Sequence, residues 1–359
     1  MTEAFAILTA TVRSGVLGGN RANFRRLIRA ARTAGVLCDV LCIEPDGEIA
    51  AWRAQPGGGW KITTAGVPRV LYNRIPTRTL ERSAAVSQVI AAWAGEGVLV
   101  TNPSFLQKDE VLSAWRETPE LARHVPLAEL LIDEAQVVDY LKRCPSVYAK
   151  PTHGKAGVGI VHLTPLGSGQ WVRVRLQQAG QATNLGRMTP LSAARLVMRQ
   201  SRRSPYVLQE GVDAALYRGR RFDFRVLAHS GPDRAMSLTG VGMRVGPVGG
   251  FTTHVPNGGQ IMRPDEVLTE VFGKPSHAIE ANMRAVAESA ASQIRRRPGT
   301  WCEVSLDVGI TRDGVPVLFE ANAKPMKFDE PFIEQAAKAR LVNCLIRLAD
   351  GPLPVVQVS

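Results

Sequence analysis

The segment from 301 to 327, WCEVSLDVGITRDGVPVLFEANAKPMK, leaves the chain little freedom. Val304, Leu306, Val308 and Ile310 recur at every second position, which requires an extended strand with one buried face. Asp313-Gly314 supplies a tight turn, and Val315 to Phe319 returns as a second strand with Pro316 near its start. Two carboxylates then stand on paired strands, Asp307 on the outgoing one and Glu320 at the end of the return. Asn322 follows Glu320 by two residues and shares its face. Hard oxygen ligands grouped in this way suit Mg²⁺, which takes one or two protein carboxylates and completes its shell with water and phosphate oxygens. The same acids on a surface hairpin would serve only solubility. Against that, Glu320 closes the apolar run Val-Leu-Phe, where an uncompensated charge is costly, and Asn322 adds a neutral oxygen beside it.

Residues 1–102 read as a small parallel α/β unit. Phe5 to Ala10 is a strand, and Asn20 caps a helix whose apolar face is Phe24, Leu27, Ile28 and Ala31. Val36 to Ile43 follows as a nearly continuous apolar strand, and Pro45 to Gly66 holds a hairpin or loop insertion. Val70 to Tyr72 is a short strand that runs into Asn73, Arg74 and Arg78. An open α/β sheet places ligands at such a strand end, so an anionic substrate group is sought there. A helix-entry loop with solvated arginines would look the same. Helix Thr79 to Ala94 and strand Val98 to Val100 close the lobe.

Lys108 starts a helix that continues from Asp109 to Glu117, and Asp133 to Cys144 forms another. The strand Val147 to Pro151 delivers Lys150 to a Gly-rich turn, HGKAGVGI, in which Gly154, Lys155, Gly157 and Gly159 precede the strand Ile160 to Leu163. Such a turn brings backbone N–H groups near phosphate oxygens, or is simply a tight connection. It is neither a Walker A loop nor a Rossmann fingerprint. After an amphipathic helix from Pro190 to Gln200, Tyr206 to Val212 is a strand whose edge, with Gln209, Glu210 and Val212, suits backbone bonding to an adenine. Asp223 and Arg225 alternate with apolar residues and share one face, as in a cross-strand pair on a solvated surface. Leu238 to Arg244 is a strand, and a second Gly-rich loop from Gly249 to Gly259 carries His254, either a substrate contact or a loop residue without chemistry. Helices His277 to Arg297 and Pro331 to Ala349 complete the chain.

With 359 residues and 45% hydrophobic composition the chain can bury two or three lobes. No apolar run approaches the roughly 20 residues that span a bilayer, so no membrane contact is expected. The N-terminus lacks the basic start and apolar core of a signal peptide, and cytoplasmic synthesis is expected. The five cysteines are scattered without a CxxC, as buried thiols rather than a disulfide or zinc framework. A formal charge of +12 favours nucleotides, acidic peptides and anionic polymers. Without an RNA-binding signature or zinc finger it does not call for nucleic acid.

The order Lys108, Lys150, Gly-rich turn, QEGV edge, DFR strand, Arg244, Gly-Gly loop, Asp307 and Glu320-x-Asn322 resembles the ATP-grasp superfamily over roughly residues 100 to 345. The DFR strand and FTTHVPNGG loop look like the ribosomal-protein glutamate ligase branch. YNRIPTR, LQKDEV, QEGV and EANAKP together resemble the YheC/YheD family of endospore coat-associated ATP-grasp proteins, over nearly the whole chain. The resemblance implies an α/β fold: a pre-ATP-grasp domain over 1–102, then an ATP-grasp domain over 103–350 with a lid at about 145–212 and a metal-binding part at about 213–350. It implies that Lys108 and Lys150 contact ATP phosphates and that the turn from Gly154 to Gly159 closes over them. Gln209, Glu210 and Val212 would line the adenine, Arg225 and Arg244 would face the transferred phosphate, and Asp307, Glu320 and Asn322 would hold Mg²⁺. The glutamate ligases tend to have Asn where His254 stands and Arg where Thr252 stands, which puts the acceptor in doubt. The implied activity is carboxylate–amine ligation on an amino acid, peptide or polymer end, with spore-coat proteins as partners and a homodimer as assembly. A kinase using the same site, or a coat protein that binds nucleotide without turnover, are the alternatives.

Overall fold

The computed structural model describes residues 4–152, 158–178, 181–233, 235–250, 252–328 and 330–351, and its strands form three sheets. The first sheet comes from β1 (Ala6–Ala10), α1 (Arg21–Thr33), β2 (Val40–Ile43), β3 (Ile49–Ala54), β4 (Trp60–Thr63), β5 (Val70–Asn73), α2 (Arg78–Glu81), α3 (Ala84–Gly95) and β6 (Leu99–Thr101). Strand order is β4-β3-β2-β1-β5-β6, parallel from β2 to β6 and extended by the antiparallel β3–β4 hairpin. Asn20 caps α1 through its side chain, and Phe24, Leu27, Ile28 and Ala31 are buried, as their spacing requires. Two expectations are corrected. The strand expected from Val36 begins only at Val40, because buried Asp39 leaves the apolar pattern to accept from Arg53 Nε at 2.9 Å. The helix expected from Thr79 to Ala94 breaks at Ser83, which caps α3 instead of continuing α2.

The second sheet follows α4 (Lys108–Glu117) and α5 (Pro119–Ala122). It comprises β7 (Ala128–Leu130), α6 (Glu134–Arg143), β8 (Val147–Pro151), β9 (Val161–Leu166), β10 (Trp171–Gln178), β11 (Gln181–Met188), α7 (Pro190–Ser201) and β12 (Tyr206–Glu210). Its order is β11-β10-β9-β8-β12-β7 with every pair antiparallel. Val147, Ala149, Val161, Leu163, Val172 and Val174 form a core on one face with α6 and α7. The opposite face is left for polar and aromatic side chains. β12 lies between β8 and β7, so both of its backbone sides are engaged, whereas Gly211 and Val212 of QEGV lie beyond its end.

The third sheet contains β13 (Leu216–Tyr217), β14 (Arg220–Ser230), β15 (Met236–Val245), β16 (Gln260–Met262), α8 (Pro264–Phe272), α9 (Ser276–Arg295), β17 (Glu303–Ile310) and β18 (Pro316–Asn322), followed by α10 (Pro331–Asp350). Its order is β16-β15-β14-β17-β18, with β13 paired to β14. Phe222, Phe224, Val226, Met243, Leu306 and Val308 bury one face against α9. α10 returns to the first sheet, where Leu341, Val342 and Leu345 pack with Phe5 and Phe24. All five cysteines are buried, and none is in a disulfide.

A polar joint ties the first sheet to the third. Asn102, at φ 50°, donates to the Glu303 carbonyl at 2.7 Å and the Ala323 carbonyl at 2.6 Å, and accepts from Cys302 N at 2.9 Å. Arg74 lies 3.4 Å from Glu303 and donates to the Pro325 carbonyl at 3.1 Å, while the Tyr72 hydroxyl also bonds Glu303. Lys324 reaches Glu81 at 2.5 Å and Asn73 Oδ1 at 2.8 Å. Asn73 and Arg74 are therefore consumed by this joint rather than offered to an anionic substrate. Arg78 donates to the Leu106 carbonyl at 2.7 Å. Arg74→Ala removes one of the groups that compensate the buried Glu303 carboxylate, leaving Tyr72 and His229, and the denaturation midpoint is expected to fall by the equivalent of about 3 kcal/mol.

Candidate functional site

The site is built by strand register. Arg225 on β14, Asp307 on β17 and Glu320 on β18 are direct cross-strand partners in one row, and Asp223 on β14 stands opposite Arg244 on β15. The hydrophobic partners of these strands fill the other face, so the row is held opposite the core. Arg244 grips Asp223 with two bonds of 2.9 and 2.8 Å and reaches Asp307 Oδ2 at 3.2 Å. Arg225 lies 3.5 Å from Asp307 Oδ1 with its guanidinium 5.3 Å from the Phe328 ring. The Thr253 hydroxyl donates to Asp223 at 2.6 Å, which brings the second Gly-rich loop to the same cluster. The alternative of a cross-strand pair on a solvated surface does not hold for Asp223, which is buried and takes its cation, Arg244, from the neighbouring strand.

A bulge sets the far end of the row. Asp307 pairs with Glu320 but Val308 with Leu318, so Phe319 is the extra residue, its ring lying where Gly309 has no side chain. Glu320 then meets Lys108 at 3.0 Å and accepts from the Asn322 amide at 3.0 Å. Desolvation would raise the Glu320 pKa, but Lys108, the Asn322 amide and Lys150 outweigh it and hold the group well below the usual carboxylate range. Asp307, Glu320 and Asn322 thus offer two carboxylates and an amide oxygen, a donor set that fits Mg²⁺. Among the described residues no three His, Cys, Asp or Glu side chains form a metal cage.

Lys150 approaches from the second sheet and bonds Gln209 Oε1. Its ammonium is 5.3 Å from the Tyr148 ring and 5.9 Å from the Phe319 ring. Desolvation, with the like charge of Lys108, lowers it to about 8. Tyr148 stacks on His162 with ring centroids 4.3 Å apart, a flat platform beside Lys150 and Gln209. Desolvation and the nearby Arg221 and Arg175 lower His162 to about 3, so its imidazole stays neutral. Sequence reasoning missed this platform, whose signal was the pairing of Tyr148 with His162 across β8 and β9. His254 sits 3.5 Å from Arg244, and desolvation and that charge push its pKa down. Arg244 keeps its proton: desolvation opposes the charge, but Asp307 and Asp223 more than restore it.

Other expected residues are placed differently. Gly154, Lys155 and Gly157 lie outside the described residues. Gly159, at φ 83°, accepts from the Tyr206 hydroxyl at 2.8 Å and donates to the Gln177 carbonyl at 2.8 Å, fixing the end of the turn. Glu210 accepts from Leu127 N at 3.2 Å and donates its own N–H to the Leu127 carbonyl, so it braces a connection. Val212 is half-buried, and its carbonyl accepts from Ala214.

A lysine-bearing antiparallel sheet set against a second sheet with paired carboxylates is the arrangement of an ATP-grasp fold. Solved ATP-grasp structures share it. The ATP-grasp ligase PsnB, solved with a minimal precursor, Mg and ADP, superposes with TM-score 0.53 at 17% identity, covering 96% of this chain and 97% of that one. D-cycloserine synthetase DcsG gives 0.56 at 16% identity, covering 96% and 99%. D-alanyl-alanine synthetase A from Vibrio cholerae O1 biovar eltor str. N16961 gives 0.56 at 12% identity, covering 98% and 99%. Residues 97–350 match the YheC/D like ATP-grasp family, and the chain belongs to that family. The endospore coat-associated protein YheD of Bacillus subtilis (strain 168) is 26% identical over 271 residues, 74% of this chain and 59% of that protein. The chain therefore spans about three fifths of the curated relative it matches. No helix among the described residues is long and apolar enough to cross a membrane.

Lys324 is also lowered to about 8, by desolvation that Glu81 only partly offsets. The unfolded chain keeps both lysine protons to about 10.5, whereas the folded chain releases them near 8, so these groups make stability rise with pH across that window. NMR of isotope-labelled dimethyl-lysine is expected to show two resonances titrating near pH 8, one of them absent from Lys150→Met.

Proposed function

We propose that this chain is an ATP- and Mg²⁺-dependent ligase that joins a carboxylate to an amine through an acyl phosphate. The observation that carries this reading is the cross-strand row of Arg225, Asp307 and Glu320, completed by Arg244 and Lys108 and faced by Lys150. Arg244 is shared by Asp223 and Asp307 and Lys108 pairs with Glu320, with Arg225, Lys150 and Lys108 at the rim to receive a polyphosphate. Gln209 and the Tyr148–His162 platform would take the adenine, and Lys108 and Lys150 the phosphates. Asp307, Glu320 and Asn322 would hold Mg²⁺, which when bound screens the phosphate charge. Lys150, near its titration point without ligand, is fully charged once phosphate oxygens approach. Arg244, pinned by Asp223, presents a permanent positive charge that does not reorganise as phosphate moves from ATP to the carboxylate. Phosphoryl transfer asks for this positioning and charge stabilisation rather than a protein nucleophile. The amine then attacks the acyl carbon, the C–N bond forms, and inorganic phosphate leaves.

The name of the curated relative supports a coat polypeptide or its precursor as the acceptor, in a spore-forming cell. The test is ADP release across a panel of amino acids, peptides and coat-type polymers, with hydroxylamine added to trap acyl phosphate as a hydroxamate. Acceptor-dependent turnover with a trapped hydroxamate is expected. Glu320→Gln, which keeps the shape and removes the ligand charge, is expected to lower turnover by about 10²–10³. A stable phosphorylated product without amide would instead make the chain a kinase, and failure of wild type to bind ATP would end the nucleotide assignment.

A further inference from the structure

The positive charge of this chain is concentrated in one place. Residues 145–212 hold nine Lys and Arg against one acid, Glu210, and so account for eight of the twelve net charges. Four of the nine, Arg195, Arg199, Arg202 and Arg203, lie on or just after α7, which covers the far face of the second sheet. The near face is defined by Arg175, whose guanidinium donates to the Gly249 carbonyl in the loop that also carries His254. Along β10 the exposed positions Trp171 and Arg173 alternate with buried Val172 and Val174, which puts them on the same face as Arg175.

Arg173 stands directly opposite Arg187 of β11. Like charges in that relation are destabilising, and among the described residues neither guanidinium has an ion pair or side-chain hydrogen bond. An edge strand does use charge to deter self-association. One arginine on β11 serves that purpose, whereas a second, on the interior strand β10, adds only repulsion unless an anion bridges them. Trp171, 47% exposed, lies beside them. Among the described residues β11 ends the sheet, so one side of its backbone has no strand partner there. A row of cations on the face, an exposed aromatic and an open strand edge together match an extended polypeptide with acids at alternate positions, which adds as a strand while its carboxylates meet the arginines. A nucleic acid makes no use of a strand edge.

We infer that this hairpin face is the docking surface for an extended acidic polypeptide, the substrate chain of the ligation proposed above, on which the inference rests. The peptide lies along β11 with a carboxylate bridging Arg173 and Arg187, and the line from these residues through Arg175 leads toward His254 and Arg244. Fluorescence anisotropy of a fluorescein-labelled peptide with Glu at every second position tests this. Wild type is expected to bind it with salt-sensitive affinity. Combining Arg173→Glu with Arg187→Glu is expected to weaken binding roughly tenfold, and Arg173→Lys with Arg187→Lys to retain most of it. Affinity for a fluorescent ATP analogue is expected to be equal in all three, which also reports folding. Equal peptide affinity in the charge-reversed protein overturns the inference, as does tighter wild-type binding of a labelled single-stranded oligonucleotide at the same ionic strength. If wild type binds the peptide through these arginines but binds no ATP, the ligase reading fails and the docking surface stands.

Discussion

A single buried guanidinium shared by two carboxylates holds the third sheet's chemistry in place. Arg244 bonds both Asp223 and Asp307, and taking any one of these charges out of water alone would cost several kcal/mol. The cluster survives burial because each charge meets its partner, and each meets its partner because β15, β14 and β17 are in the right register. That register is enforced from the other face, where Phe222, Phe224, Met243, Leu306 and Val308 pack into the core. A slip of one residue would turn the apolar set toward the cleft and the charges toward the core. Core packing and site geometry are therefore one constraint seen from two sides of a sheet.

The same strand joins the site to the first sheet. Glu303, Ser305 and Asp307 follow at every second position of β17, so the face that ends at the carboxylate of the site begins at the joint. Glu303 stays ionised there: burial would raise its pKa, but His229 and Arg74 hold it low. The hairpin after β17 repeats the pattern, since Glu320 and Asn322 face the cleft while Lys324 bonds Glu81 and Asn73. The segment singled out by its alternation thus links two polar clusters through a short, stiff stretch of sheet.

What was legible in the sequence was whatever local physics dictates. The α1 helix and its cap, the returning hairpin, the lysine delivered by β8 and the paired acids follow from periodicity and turn chemistry. Less legible were elements whose pattern is interrupted for a tertiary reason. Asp39 delays the start of β2 because Arg53 is waiting on β3, and Ser83 divides a helix because its hydroxyl caps the second half. β10 and β11 escaped because arginines and glutamines occupy their outward face, which reads as loop until the buried partners of Val172 and Val174 are known. Asn73 and Arg74 look like ligand residues at a strand end until Glu303 and Lys324, far away in the chain, are brought to them.

The sequence by itself determined most element types, the charges on each strand face and the grouping of Asp307, Glu320 and Asn322 on one hairpin, because alternation and turns depend only on neighbours along the chain. That Lys150 joins them was implied by the family resemblance alone. Only the tertiary structure decided which charge meets which. Whether Asp223 is solvated or gripped by Arg244, and whether Arg74 is offered to a ligand or locked to Glu303, depends on strand register and on contacts between residues remote in sequence. Those pairings are set by the packing of apolar faces on the far side of each sheet, a property that no single segment carries.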